Sequence, residues 1–228
     1  MQSKSIDTAT YYGLTFNNDG TKMYTVHSGA KTDGVVEYIL TSAYDISTAI
    51  VNNTKVVHVS GGNDSHVPTQ VVFNNDGTKM FIVNHAHQKE IDYWSLTTAF
   101  DISTATHDGA FPISGQEIRA NSVAFNNDGT KLFLMYRDNN GSDGVGGRLL
   151  EYNLSTPYDL SESSLSLVTS AGIKLTENVI TGAHGPASLR FRPDGKRLFI
   201  VNHAHGGTSR ILQISLTNAF DTSLFVID

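Results

Sequence analysis

Three features predict an all-β fold of four antiparallel blades. One strand–turn–strand phrase occurs four times, an aromatic–Asp corner follows each copy, and no window holds a helical period. The copies are residues 13–26 (GLTFNNDGTKMYTV), 71–83 (VVFNNDGTKMFIV), 123–135 (VAFNNDGTKLFLM) and 189–201 (LRFRPDGKRLFIV). Their phenylalanines, Phe16, Phe73, Phe125 and Phe191, recur roughly every 50 to 70 residues, the period of a multi-stranded unit. The corners are Tyr44-Asp45, Phe100-Asp101, Tyr158-Asp159 and Phe220-Asp221.

Each element of the unit has a local reason. Strand a is the apolar run ending at the phenylalanine. The Asn-Asn-Asp-Gly that follows favours a tight hairpin, because Asn, Asp and Gly tolerate positive φ. Strand b (Lys-Met-Phe-Ile-Val or its equivalent) is rich in β-formers. Strand c alternates, as in Ile-Asp-Tyr-Trp-Ser-Leu at 91–96, where Trp94 stands at the position of Tyr38, Tyr152 and Ile214 and reads as blade packing. Strand d follows the aromatic–Asp corner, whose recurrence marks it as a packing device. Four such strands repeated make a four-bladed β-propeller of four-stranded antiparallel blades. The blades fall at about 11–60, 67–115, 119–175 and 185–228 plus 1–10, in one domain over 1–228. The last grouping expects the N- and C-terminal strands to pair and close the ring, since residues 3–10 resemble the lead-in at 101–106.

Composition narrows the classes. The 228 residues carry 39% hydrophobic and 17% charged side chains, the balance of a folded chain. A formal charge of -6 without a basic run argues against nucleic acid. No apolar run is long enough to span a membrane, no signal peptide is visible, and the absence of cysteine excludes disulfides and thiolate metal sites. There is no nucleophile elbow, P-loop or dinucleotide fingerprint.

The Phe-x-x-Asp-Gly-x-x-Leu-Phe/Tyr-Val core resembles the YVTN- and NHL-like propeller repeats. That resemblance implies the fold and says little of function. The Asn-Asn-Asp-Gly-Thr-Lys and Phe-Asp-Ile-Ser-Thr-Ala phrasing is similar to repeats of secreted, surface or virion-associated proteins and implies an extracellular setting.

Strand order puts the a–b hairpins and c–d corners at one end of the blades and the d–a and b–c loops at the other. The second end varies, and loops on a rigid scaffold are where binding resides. It collects most of the nine histidines. Blades 2 and 4 share Val-Asn-His-Ala-His at 83–87 and 201–205, and their d–a loops add His66 and His184. Blades 1 and 3 share an Asp-Gly-Val loop instead, at 33–35 and 143–145, as if a two-blade unit had been duplicated. His66, His85, His184 and His203 converging near an axis would suit a divalent metal, calcium or a transition ion. The same residues also suit packing and loop capping. His87, His205 and Arg137 complete the candidate ligand-binding set. His27 reads as structural, and His58 and His107 as solvent-facing residues of outer strands. The phrases around His184 (His-Gly-Pro-Ala-Ser) and His203 (Val-Asn-His) resemble the paraoxonase and arylesterase family, with a weaker copy in blade 2. By that resemblance His184 and His203 would be a catalytic dyad.

Three functions stay open. The leading expectation is a non-enzymatic binding or adhesion module that presents the histidine-rich face to a glycan, protein, small molecule or surface. The alternative is a metal-dependent hydrolase or lactonase using the paired histidines. The third is a self-assembling unit whose partner is another copy.

Overall fold

The structure, a computed structural model, describes residues 10–28, 34–52, 57–58, 67–84, 90–113, 118–138, 148–168, 173–174, 186–202, 209–223 and 225–227. The fold is all-β, with the sheets of a four-bladed β-propeller. Blade 1 comprises β1 (Thr10–Phe16), β2 (Lys22–Ser28), β3 (Gly34–Leu40) and an outer strand in two pieces, β4 (Ala49–Val51) and β5 (Val57–His58), both on β3. Blade 2 comprises β6 (Pro68–Phe73), β7 (Lys79–Asn84), β8 (Glu90–Leu96) and one continuous outer strand, β9 (Ala105–Pro112). Blade 3 comprises β10 (Ile118–Phe125), β11 (Lys131–Asp138) and β12 (Arg148–Leu154), with the outer pieces β13 (Leu165–Leu167) and β14 (Ile173–Lys174). Blade 4 comprises β15 (Pro186–Phe191), β16 (Arg197–Asn202), β17 (Arg210–Leu216) and β18 (Phe225–Ile227). The chain divides into two compact units, Met1–Pro112 with blades 1 and 2 and Ile113–Asp228 with blades 3 and 4. The expected pairing of the two termini involves residues 1–9, which lie outside the described residues.

The hairpin and corner of each blade form one latch. The hairpin glycines Gly20, Gly77, Gly129 and Gly195 have φ of 70 to 73°, where an L side chain is disfavoured. The corner aromatic of the same blade lies directly over each of them, leaving no room for a Cβ. Tyr44, Phe100, Tyr158 and Phe220 themselves have φ of 54 to 59°, unusual for non-glycine residues. Each is held there by its own N–H, which donates to the hairpin glycine carbonyl at 2.9 Å. The Asp after each aromatic accepts from an N–H two residues on, closing the corner.

Within each unit, neighbouring blades are joined by the same devices. The carboxylate of Glu37, fully buried, pairs with Lys22 at 3.0 Å and accepts from the Ile102 N–H of blade 2 at 3.3 Å. Glu151 repeats this in the other unit, pairing with Lys131 and accepting from Thr222 N at 3.0 Å and Thr222 Oγ1 at 2.7 Å. Both lysines also donate to a corner carbonyl of the next blade, Phe100 O or Phe220 O, at 2.9 Å. Strand register aligns Glu37 and Glu151 with Tyr93 and Gln213, so this column alternates as the loops do.

Apolar cores fill the space between the paired blades. One contains Tyr24, Val26, Val35, Val71, Met80, Ile82, Trp94 and Leu96. The matching columns of the other unit supply Phe133, Met135, Leu149, Leu189, Leu198, Ile200, Ile214 and Leu216. Trp94 packs where the repeat register places it, opposite Met80.

Candidate functional site

The strand ends that carry the histidine loops are described, and the loops are not. β7 delivers Val83 and Asn84, and β16 delivers Val201 and Asn202, to the end of the blade where 85–89 and 203–208 follow. His66, His85, His87, His184, His203 and His205 all lie outside the described residues. Arg137 is in β11, paired in register with Arg119. Among the described residues no three His, Asp or Glu side chains converge as a metal site.

A polar cluster does form in blade 2, directly below its b–c loop. Register puts Asn84 opposite Glu90, and Asp92 two residues further along the same face of β8. Asp92 is 1% exposed and Asn84 is 0% exposed. Asn84 Nδ2 donates to Asp92 Oδ2, while His107 Nε2 lies 2.8 Å from Asp92 Oδ1. A carboxylate only accepts, so the Nε2–H of His107 is the donor and Nδ1 carries the lone pair of the neutral ring. The imidazole stacks obliquely on Trp94, with centroids 4.6 Å apart. A register shift between Tyr93 and Trp94 leaves Asp108 as the extra residue of β9, next to His107. Such a bulge re-aims the neighbouring side chains. Glu90, half-buried, is pushed above the usual carboxylate range by burial first and by the charge of Asp92 second.

His107 is exposed, as expected of an outer strand, but it is not free of the protein beneath it. Its side chain is 32% exposed, with one nitrogen committed to Asp92. Nδ1 has no hydrogen bond among the described residues. Two further buried polar atoms here have no protein partner among the described residues, Asn84 Oδ1 and Trp94 Nε1. His27, by contrast, is a buried residue at the end of β2, opposite Gly34, as a structural role requires.

Sequence reasoning missed Asp92 and His107, although the repeat columns carry the signal. Register aligns Asp92 with Val36, Leu150 and Leu212, and His107 with Val51, Leu167 and Ile227. Three blades place an aliphatic pair where blade 2 places a carboxylate and an imidazole.

No family model and no curated protein matches the chain. Solved structures do. A protein from Bacteroides uniformis described as a 6-phosphogluconolactonase is 13% identical, with a TM-score of 0.58 over 96% of this chain and 55% of its own. The periplasmic gluconolactonase of Pseudomonas aeruginosa is 14% identical, with a TM-score of 0.53 over 96% of this chain and 57% of its own. The β-propeller domain of Myceliophteria thermophila Cps50 is 14% identical, with a TM-score of 0.50 over 92% of this chain and 54% of its own. The chain thus spans about half the length of the structures it resembles. At these identities the likeness shows the fold, a β-propeller. The first-named neighbours are described as lactonases, which runs against the leading expectation of a non-enzymatic binding or adhesion module.

Proposed function

We propose that the chain is a lactonase that hydrolyses the ring ester of a sugar-derived lactone to the open hydroxy acid. The observation that carries the reading is the likeness of 96% of the chain to propeller structures described as lactonases. The resemblance of the His184 and His203 phrases to the arylesterases points to the same bond class, an ester carbonyl attacked by water. The substrate class is a neutral lactone, because the chain carries a formal charge of -6 and the described cluster is lined by Asp92 and Glu90. A phosphorylated lactone would be repelled there. An exported setting goes with this reading, as for the periplasmic gluconolactonase.

The test is proton release from δ-gluconolactone, compared with spontaneous ring opening and with 6-phosphogluconolactone. The reading expects catalysis of the neutral lactone and a much lower kcat/KM for the phosphorylated one. No acceleration over the spontaneous rate of either would overturn it. Repeating the assay with a chelator shows whether a divalent metal, the role foreseen for His66, His85, His184 and His203, takes part.

A further inference from the structure

We propose that Asp92 and His107 form a carboxylate-oriented imidazole base in blade 2, which takes the proton of the water that opens the lactone ring. The proposal rests on the lactonase reading and assigns its base to a residue pair that sequence motifs did not mark.

Four observations carry it. First, the pair breaks the repeat in two columns at once, with the other three blades aliphatic at both (Val36 and Val51, Leu150 and Leu167, Leu212 and Ile227). A buried carboxylate is costly unless it is paired, and Asp92 is 1% exposed. Second, Asp92 is held by donors on both oxygens, Asn84 Nδ2 and His107 Nε2, which fixes the tautomer and aims the ring. Third, the ring's second nitrogen has no partner among the described residues and the side chain is 32% exposed, so the basic atom can reach a solvent molecule. Fourth, Asn84 Oδ1 and Trp94 Nε1 are buried with no partner among the described residues, one an acceptor on the residue that bonds Asp92 and one a donor on the ring that His107 stacks against. The charged groups around the imidazole are Asp92 and Glu90 on β8 and Asp108 on β9, the last held by Ser95 Oγ.

The step balances without a further reactant. The water oxygen attacks the lactone carbonyl carbon as His107 Nδ1 takes a water proton. The bond between the carbonyl carbon and the ring oxygen then breaks, and the imidazolium returns the proton to that oxygen, which leaves as a hydroxyl. The product is the hydroxy acid, and Asp92 stays ionised throughout, stabilising the imidazolium.

The experiment compares wild type, His107→Gln, Asp92→Asn and a His184→Ala/His203→Ala control on δ-gluconolactone and on p-nitrophenyl acetate, an activated ester that needs only a base. Loss of the base lowers kcat on both substrates by about 100-fold or more with little change in KM. Free imidazole restores turnover in His107→Gly, which a purely structural histidine would not allow. If His107→Gln fails to fold, the repeat-like pair Asp92→Leu/His107→Ile carries the same comparison. Lactone turnover that is unchanged in the His107 variants overturns the base and leaves the lactonase reading standing. Ester hydrolysis that depends on His107 without lactone turnover overturns the lactonase reading and leaves the base standing. Absence of both activities in the wild type overturns both.

Discussion

The core between blades 1 and 2 and the core between blades 3 and 4 are built from the same columns. Tyr24 matches Phe133, Ile82 matches Ile200, and Trp94 matches Ile214, each by strand register. They diverge most sharply in one column of strand c. Leu212 is part of the apolar cluster of the second core, and the corresponding residue of the first is Asp92, bonded to Asn84 and His107. Columns that stay apolar specify how a blade packs on its neighbour, and a column that turns ionisable in one blade alone points to a role besides packing.

Several variants probe this contrast, beginning with the largest effect. Glu37→Ala and Glu151→Ala each strip a buried carboxylate from a lysine and from an inter-blade N–H. Each should cost about 1–3 kcal/mol in urea denaturation, because a buried inter-blade N–H is left without its acceptor while the lysine keeps its corner carbonyl. Equal losses in the two units would confirm that this device is repeated; a loss confined to one would break the equivalence.

Gly77→Ala and Gly129→Ala come next. Both force a Cβ into positive φ beneath Phe100 or Tyr158, and each should cost more than about 1 kcal/mol. Asp76→Ala removes the bonds from Thr78 N and Oγ1 and should cost about 1 kcal/mol, read as a lower urea midpoint at unchanged m-value.

Acid has the mildest effect. Asp19, Asp76, Asp128 and Asp221 are held below the usual carboxylate value by side-chain and then backbone donors two residues on. Asp194 is held at about 2, first by Arg192 and then by the Lys196 N–H. A folded-state pKa below the unfolded one means the stabilisation is complete above the ordinary 3.8 and is lost as pH falls towards about 2. The thermal midpoint should drop through that window, and less steeply in Asp194→Asn. An unchanged slope would remove Asp194 from the explanation.

The repeat was legible because hairpin and corner chemistry are local. Asn-Asn-Asp-Gly announces positive φ at the hairpin glycine, as at Gly77, whereas the positive φ of the corner aromatic, as at Phe100, has no signal in its residue type. The alternation of blades was visible in the loops, and it recurs in Glu37 and Glu151, which no motif marks. Asp92 was legible in principle, as one carboxylate in an otherwise aliphatic strand c column. His107 was not. Its strand d is split in blades 1 and 3 and continuous with a bulge in blade 2, so only the observed register aligns it with Val51, Leu167 and Ile227. An imidazole on an outer strand reads as solvent-facing, as His107 is, and the carboxylate beneath it is seen only in the structure. The loop histidines were the conspicuous candidates because clustered histidine is easy to notice, whereas a two-column exchange is visible only across paired strands.

The most direct test replaces the polar pair by the residues blade 4 uses, Asp92→Leu/His107→Ile. Replacing a buried carboxylate such as Asp92 and its partner by aliphatics of similar volume is often neutral or stabilising. The account predicts a folded protein with an equal or higher urea midpoint that no longer hydrolyses δ-gluconolactone. Wild-type turnover in that variant, or a large loss of stability, would show that the exchange serves packing and would contradict the account.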